Sequence, residues 1–176
     1  VNARYAMGCL YRSLGNYTQA ETQFREAKDD GVSQLLNQDD PVLARTAGAL
    51  ASVMSTRGDL DQARKLCTWA ANHVTAVCGT NDAEIAWIDD MMGRAYVFVG
   101  RHADALPVYE HMLKIRKAVL LPQDPDLADA HNRLASIQFE LRHRDIAIKY
   151  LQQALEIRTQ AFGPKHPHTL RSRKNM

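Results

Sequence analysis

The chain has 176 residues, 45% of them hydrophobic, with nine glycines and six prolines. That is enough apolar material for a packed core, and too little glycine and proline for a collagen-like or disordered chain. A formal net charge of +2 singles out no nucleic-acid partner, and the short basic cluster Lys165, Arg171, Arg173 and Lys174 reads as a solvated end.

In chain order the pattern predicts helices near 2–14, 17–35, 41–57, 60–77, 83–99, 102–120, 125–141 and 144–162, and 167–176 opens a ninth. The first pair turns at Gly15 and is followed by a linker in the Asp29-Asp30-Gly31 region that holds one extra residue. Asp40-Pro41 opens the third helix. Aspartate caps free N–H groups, and proline fits the first helical position, where its missing N–H would be unpaired anyway. Gly58 ends that helix, and Asp59 caps the next, as Asn16 does after Gly15. Asn81-Asp82-Ala83 opens the fifth helix without the proline. Gly100 ends it, and Arg101 is a poor cap for the sixth, where Pro107 sits early enough to leave at most a mild kink. Asp124-Pro125 and His166-Pro167 open the seventh and ninth helices. Between them stands Arg142, where a glycine suited to a left-handed backbone is expected, followed by another poor cap, His143. The last complete helix carries an apolar stripe of Ala147, Tyr150, Leu151, Ala154, Leu155, Ala161 and Phe162 at helical spacing.

Three combs tie these elements together. Ala20, Ala63, Ala105 and Ala147 are spaced 43, 42 and 42 residues; Pro41, Pro125 and Pro167 are spaced 84 and 42; Gly15, Gly58, Gly100 and Arg142 mark the turns. Such self-similarity predicts stacked helix-turn-helix units, with the recurring alanine where two helices cross closest. A larger residue there overpacks, at a cost of roughly 1–3 kcal/mol. The expected organisation is one array: repeats at about 1–40, 41–82, 83–124 and 125–166, then the start of a further helix over 167–176. The chain begins with Val and its last helix looks cut short, so a piece of a longer chain is expected.

Met7-Gly8, Tyr11, Gly15, Tyr17, Ala20, Phe24 and Ala27 together resemble the tetratricopeptide repeat. The period of 42, in place of the usual 34, and the linker Phe162-Gly163-Pro164-Lys165-His166-Pro167-His168-Thr169-Leu170 resemble the lengthened repeats of kinesin light chains and nephrocystin-3-like proteins. So does Asn132-Arg133-Leu134-Ala135. Eight extra residues are about two helical turns, ~12 Å of length. The resemblance implies an all-α fold, an α-α superhelix (tetratricopeptide solenoid) of about four repeats, with the first helices lining a concave groove that binds peptides or proteins.

Mapped onto this chain, that groove takes Asn2, Tyr5, Cys9 and Arg12 from the first unit. The second contributes Arg45, Gly48, Ser52 and Ser55, and the third Trp87, Asp90, Arg94 and Phe98. Asp129, Asn132, Ser136 and Phe139 come from the last. Arginine pairs with carboxylates and aromatics anchor interfaces, so Arg12, Arg45 and Arg94 near Tyr5, Trp87 and Phe98 point to an acidic and aromatic peptide. The asparagines that recur on the groove face of kinesin light chains correspond here to Tyr5, Gly48, Asp90 and Asn132. Only one of the four agrees, so cargo specificity does not carry over, and the two-carboxylate clamp of chaperone-binding repeats is not evident.

No motif supports catalysis, a cofactor or a metal. A phosphate loop needs a strand before it; His166-x-His168 lies in the linker with His166 at the cap position; two histidines rarely make a metal site. His102 and His111 do not share a helical face, and Met91, Met92 and Tyr96 read as core. Cys9, Cys67 and Cys78 form no CxxC pair and suit a reduced intracellular chain, Cys67 as core. No run approaches the ~20 apolar residues of a membrane span, and no signal-peptide pattern is present. The expected function is a non-enzymatic adaptor or scaffold in the cytoplasm, associated with cytoskeleton or cilium. The alternatives are a structural component of a larger assembly and a regulatory region of a multidomain protein. Neither end looks polar-capped, as a free solenoid requires.

Overall fold

A computed structural model describes residues 1–33, 41–78 and 83–176. Among them are nine helices: α1 (Asn2–Ser13), α2 (Tyr17–Ser33), α3 (Pro41–Thr56), α4 (Leu60–Cys78), α5 (Ala83–Phe98), α6 (His102–Val119), α7 (Pro125–Glu140), α8 (Arg144–Phe162) and α9 (Pro167–Lys174). No strand occurs among the described residues. The chain divides into two compact units, Val1–Gly100 and Arg101–Met176.

In the first unit α3 is the central element, packed against α1, α2, α4 and α5. A helix enclosed on most sides must be apolar nearly all round. The sequence of α3 obeys this: Leu43, Ala44, Ala47, Ala49, Leu50, Ala51, Val53 and Met54 are all buried. Its many alanines let four neighbours approach closely. Its buried hydroxyls are satisfied locally: Thr46 donates to the Val42 carbonyl at 2.7 Å and Ser55 to that of Ser52 at 2.8 Å, as buried polar groups require. Met91, Met92 and Tyr96 of α5 are core residues, as is Cys67 of α4.

In the second unit α7 packs against α6 and α8, and α8 packs against α9. Leu127, Ala128, Leu134, Ala135 and Ile137 bury the inner faces of α7. From the stripe expected on α8, only Ala147 and Ala154 are fully buried; Phe162 is 40% exposed. Pro107 lies inside α6, which continues through it to Val119.

The combs have structural counterparts. The four spaced alanines are 0–3% exposed. The four turn residues are left-handed: Gly15 at φ 77°, Gly58 at 90°, Gly100 at 77° and Arg142 at 67°. At three of these turns the next residue reaches back over the helix end. The N–H groups of Asn16, Asp59 and His143 donate to the carbonyls of Tyr11, Met54 and Gln138 at 2.9, 3.0 and 2.8 Å. This is the six-to-one bond of a Schellman motif, which the left-handed residue makes reachable.

The expected caps divide: Asn16 makes no side-chain cap bond among the described residues, whereas three others do. Asp59 and Asp124 accept from Gln62 and Asp126 N–H at 3.1 and 2.9 Å, and His166 accepts from His168 N–H at 3.3 Å. Arg101 and His143 make no side-chain cap; the His143 ring bonds instead to Gln138 Oε1 at 2.8 Å. The expected caps at Asp40, Asn81 and Asp82 lie outside the described residues.

One expectation is corrected. Asp29, Asp30 and Gly31 are not a linker but lie inside α2, at its C-terminal end. Gly31 is buried there, and a Cβ on it would stand 2.1 Å from Leu43 Cδ2. The glycine serves close packing of α2 on α3, not a change of chain direction.

Candidate functional site

The first unit gathers several of the expected groove residues. Tyr5, Cys9 and Arg12 recur every three or four residues on α1 and so share one face. Burial raises the Tyr5 phenol pKa above its usual value, and Cys9 adds to the rise by charge and by a hydrogen bond. Arg12 and then Arg45 of α3 pull the other way through their positive charge. Tyr5 also rests on Phe24 with ring centroids 5.9 Å apart. Arg45 in turn forms a two-pronged ion pair with Glu84 of α5, with Nε to Oε2 at 2.7 Å. This pair ties the first helices α3 and α5 together.

Trp87 of α5 lies over Gly48 of α3: a Cβ at Gly48 would be 2.6 Å from Trp87 Cζ3. Glycine is required there because the indole fills the space a side chain would take. Gly48, Ser55 and Asp90 are buried, while Ser52 and Trp87 are half-buried and Asn2, Arg94 and Phe98 are exposed. Asp90 thus belongs to the packed side of α5 and not to its open face. Arg94 is exposed and has no ion pair among the described residues.

The second unit holds a cavity of about 720 Å³ between α7 and α9, floored by Ala147 and Leu151 of α8. Asp129, Asn132, Ser136 and Phe139, the four residues expected from the last repeat, all line it. Phe139 is 55% exposed. Asn132 Oδ1 is buried with no hydrogen-bond partner among the described residues. Such an atom costs roughly 1–3 kcal/mol until a donor reaches it. Arg171 brings an exposed cation from α9.

Arg158 of α8 sets how α9 sits. Its guanidinium pairs with Asp129 of α7 and donates to Ser172 of α9, and its side chain is only 12% exposed. Thr169 donates from its hydroxyl to the Arg158 carbonyl at 3.1 Å, and both Thr169 and Ser172 are buried. The His-Pro-x-Thr sequence is therefore a docking device. His166 caps α9, Pro167 is its first residue, and Thr169 fastens it to α8.

Glu84, Arg158, His168 and Arg171 were not among the expected site residues. Arg158 did leave a signal. It stands one period after Arg116, in matching Leu-x-Ile-Arg segments at 113–116 and 155–158, and Arg116 also clamps the next first helix by donating to the Asp126 carbonyl at 2.8 Å. His166 stacks with both Phe162 and His168, and the His168 ring is tilted against Phe162. No group of three or more metal-type side chains occurs among the described residues, and no described helix is long and apolar enough to cross a membrane.

The tetratricopeptide-repeat sequence profile matches residues 42–118 and 126–176, and a second profile of the same description matches 1–29. The chain belongs to the tetratricopeptide-repeat family. Among solved structures it is similar to a putative kinesin light chain of Podosopora anserina with nearly identical TPR-like repeats. The TM-score is 0.81 at 17% identity, over 97% of this chain and 81% of that one. It is also similar to BtubC (BKLC) of P. vanneervenii, with TM-score 0.70 at 22% identity over 94% of this chain and 63% of that one. The apo form of RapI gives TM-score 0.75 at 15% identity, with 96% of this chain on 45% of that one. At these identities the likeness is one of fold. Together with the 42-residue period it supports the kinesin-light-chain-like form of the tetratricopeptide solenoid. No curated protein matches the chain.

Proposed function

We propose that this tetratricopeptide array is a non-enzymatic scaffold or adaptor whose first helices hold an extended, acidic and aromatic segment of a partner protein. The observation that carries the reading is the cavity between α7 and α9. It joins an exposed phenyl ring, Phe139, the amide side chain of Asn132, and an exposed cation, Arg171. Phe139 offers stacking area, Asn132 suits a backbone N–H of an extended chain, and Arg171 suits a carboxylate. Arg94 and the Tyr5–Arg12 cluster supply similar chemistry in the first unit. Solved structures similar in fold include a protein named as a putative kinesin light chain, which supports a cytoplasmic, cytoskeleton-related setting. Membership of a larger assembly is compatible with the same surface.

The test is fluorescence anisotropy of a labelled Asp-Glu-Tyr-Glu-Asp peptide against the chain and two double variants, Phe139→Ala with Arg171→Glu and Arg45→Glu with Arg94→Glu. Loss of a charge-assisted contact worth ~1.5–3 kcal/mol weakens binding about 10- to 100-fold. Unchanged affinity in both double variants overturns the reading.

A further inference from the structure

We propose a second recognition site in the first unit, on the second helices and away from the groove face, for an acidic segment of a partner protein that inserts one bulky apolar side chain. A cleft of about 330 Å³ opens between α2 and α4, at the small end of the range for ligand pockets and large enough for one aromatic or branched side chain. Its apolar lining is Leu50 of α3 with Leu66 and Trp69 of α4. Leu50 is 2% exposed, whereas Trp69 is 38% exposed.

Trp69 is held in place from two sides. The His73 ring stacks on it with centroids 5.2 Å apart and 15° between planes. The Lys28 ammonium sits 6.0 Å from the ring centroid, within the range of a cation–π contact. An exposed tryptophan fixed in one orientation loses little freedom on binding, and tryptophan is enriched among the residues that dominate interfaces.

Charge selects the occupant. The cleft is lined by three cations, Arg25, Lys28 and Lys65, against one carboxylate, Asp29. Arg25 is held by Glu21 at 2.8 Å, and Lys28 stands 3.8 Å from Asp29. Lys65 is exposed and has no ion pair among the described residues. Lys28 and Lys65 thus bring positive charge from opposite walls, so carboxylates on either side of the inserted side chain are complementary and a basic segment is repelled. None of these residues belongs to the groove described above.

The two tryptophans are Trp69 and Trp87, so the Trp87→Phe chain reports Trp69 emission alone. Titration with acetylated, amidated Glu-Glu-Phe-Glu-Glu is expected to change that emission saturably. The response weakens at least tenfold in Lys28→Glu with Lys65→Glu, and at least tenfold with Glu-Glu-Ala-Glu-Glu as probe. Lys65→Gln, a neutral change at an exposed helical position, weakens it about threefold. Arg45→Glu with Arg94→Glu leaves it unaltered, which separates this site from the groove. No saturation up to millimolar peptide, undiminished response in both lysine variants, or a Trp69-dependent dimer by sedimentation would overturn the proposal.

Discussion

Replacing Arg142 by glycine should stabilise the protein. Arg142 is the one non-glycine residue with positive φ among the described residues, at 67°, and it is exposed. Three equivalent turns use glycine at 77–90°. A left-handed conformation costs an L-residue roughly 1–2 kcal/mol, and glycine avoids that cost but loses about 0.5–1 kcal/mol more chain entropy on folding. Arginine at the end of α7 also gains a few tenths of a kcal/mol from the helix dipole, which any neutral replacement forfeits. The clean quantity is therefore the difference between Arg142→Gly and Arg142→Ala, since both lose the charge and only alanine retains the strain. It should be about 0.5–1 kcal/mol in favour of glycine, or ~1–4 °C in melting temperature for a chain of this size. Urea unfolding followed by circular dichroism measures it. Equal stability of the two variants would refute the strain argument and leave charge as the source of any change.

Three further outcomes are expected. Gly8→Ala places a Cβ 2.5 Å from Phe24, which is 0% exposed and has nowhere to move; a loss of roughly 1–3 kcal/mol should appear in the same unfolding assay. His131 of α7 is 3% exposed, and burial first, then Lys117, lowers its pKa from 6.5 to about 4. The unfolded ring takes a proton that the folded one refuses. Stability should therefore fall between pH 6.5 and 4, on the order of 2 kcal/mol after allowance for solvent screening, and His131→Gln should remove that part of the slope. Burial first, then Asp89, pushes the Cys67 thiol up to about 12; iodoacetamide at pH 8 should spare it in the folded state and label it after denaturation, as mass spectrometry would show.

The helices and their order were legible in the sequence because periodicity, caps and turn residues act locally. A left-handed requirement writes a glycine, or an arginine under strain, wherever it recurs. Asn132, Ser136 and Phe139 line one cavity for the same local reason, since helical spacing puts them on one side of α7. What the side chains do to one another was not. The tie between Arg45 and Glu84 spans 39 residues, and Trp87 covers Gly48 only because α3 and α5 pack together. Asp29-Asp30-Gly31 has the composition of a loop although it falls within the helix expected over 17–35, and it is helical, with Gly31 packed against Leu43. Composition reports what a segment prefers alone; the neighbour it must fit decides.

Within each unit, the packed helices stand one or two places apart in chain order. A protein wired in this way has no single closing contact on which everything else depends. Ordering can start at any helix pair and spread to its neighbours, and chain ends can come loose without releasing the middle. Under a pulling force, such a chain would yield in steps, one helix pair after another, each step small and reversible. That is the behaviour of a compliant tether.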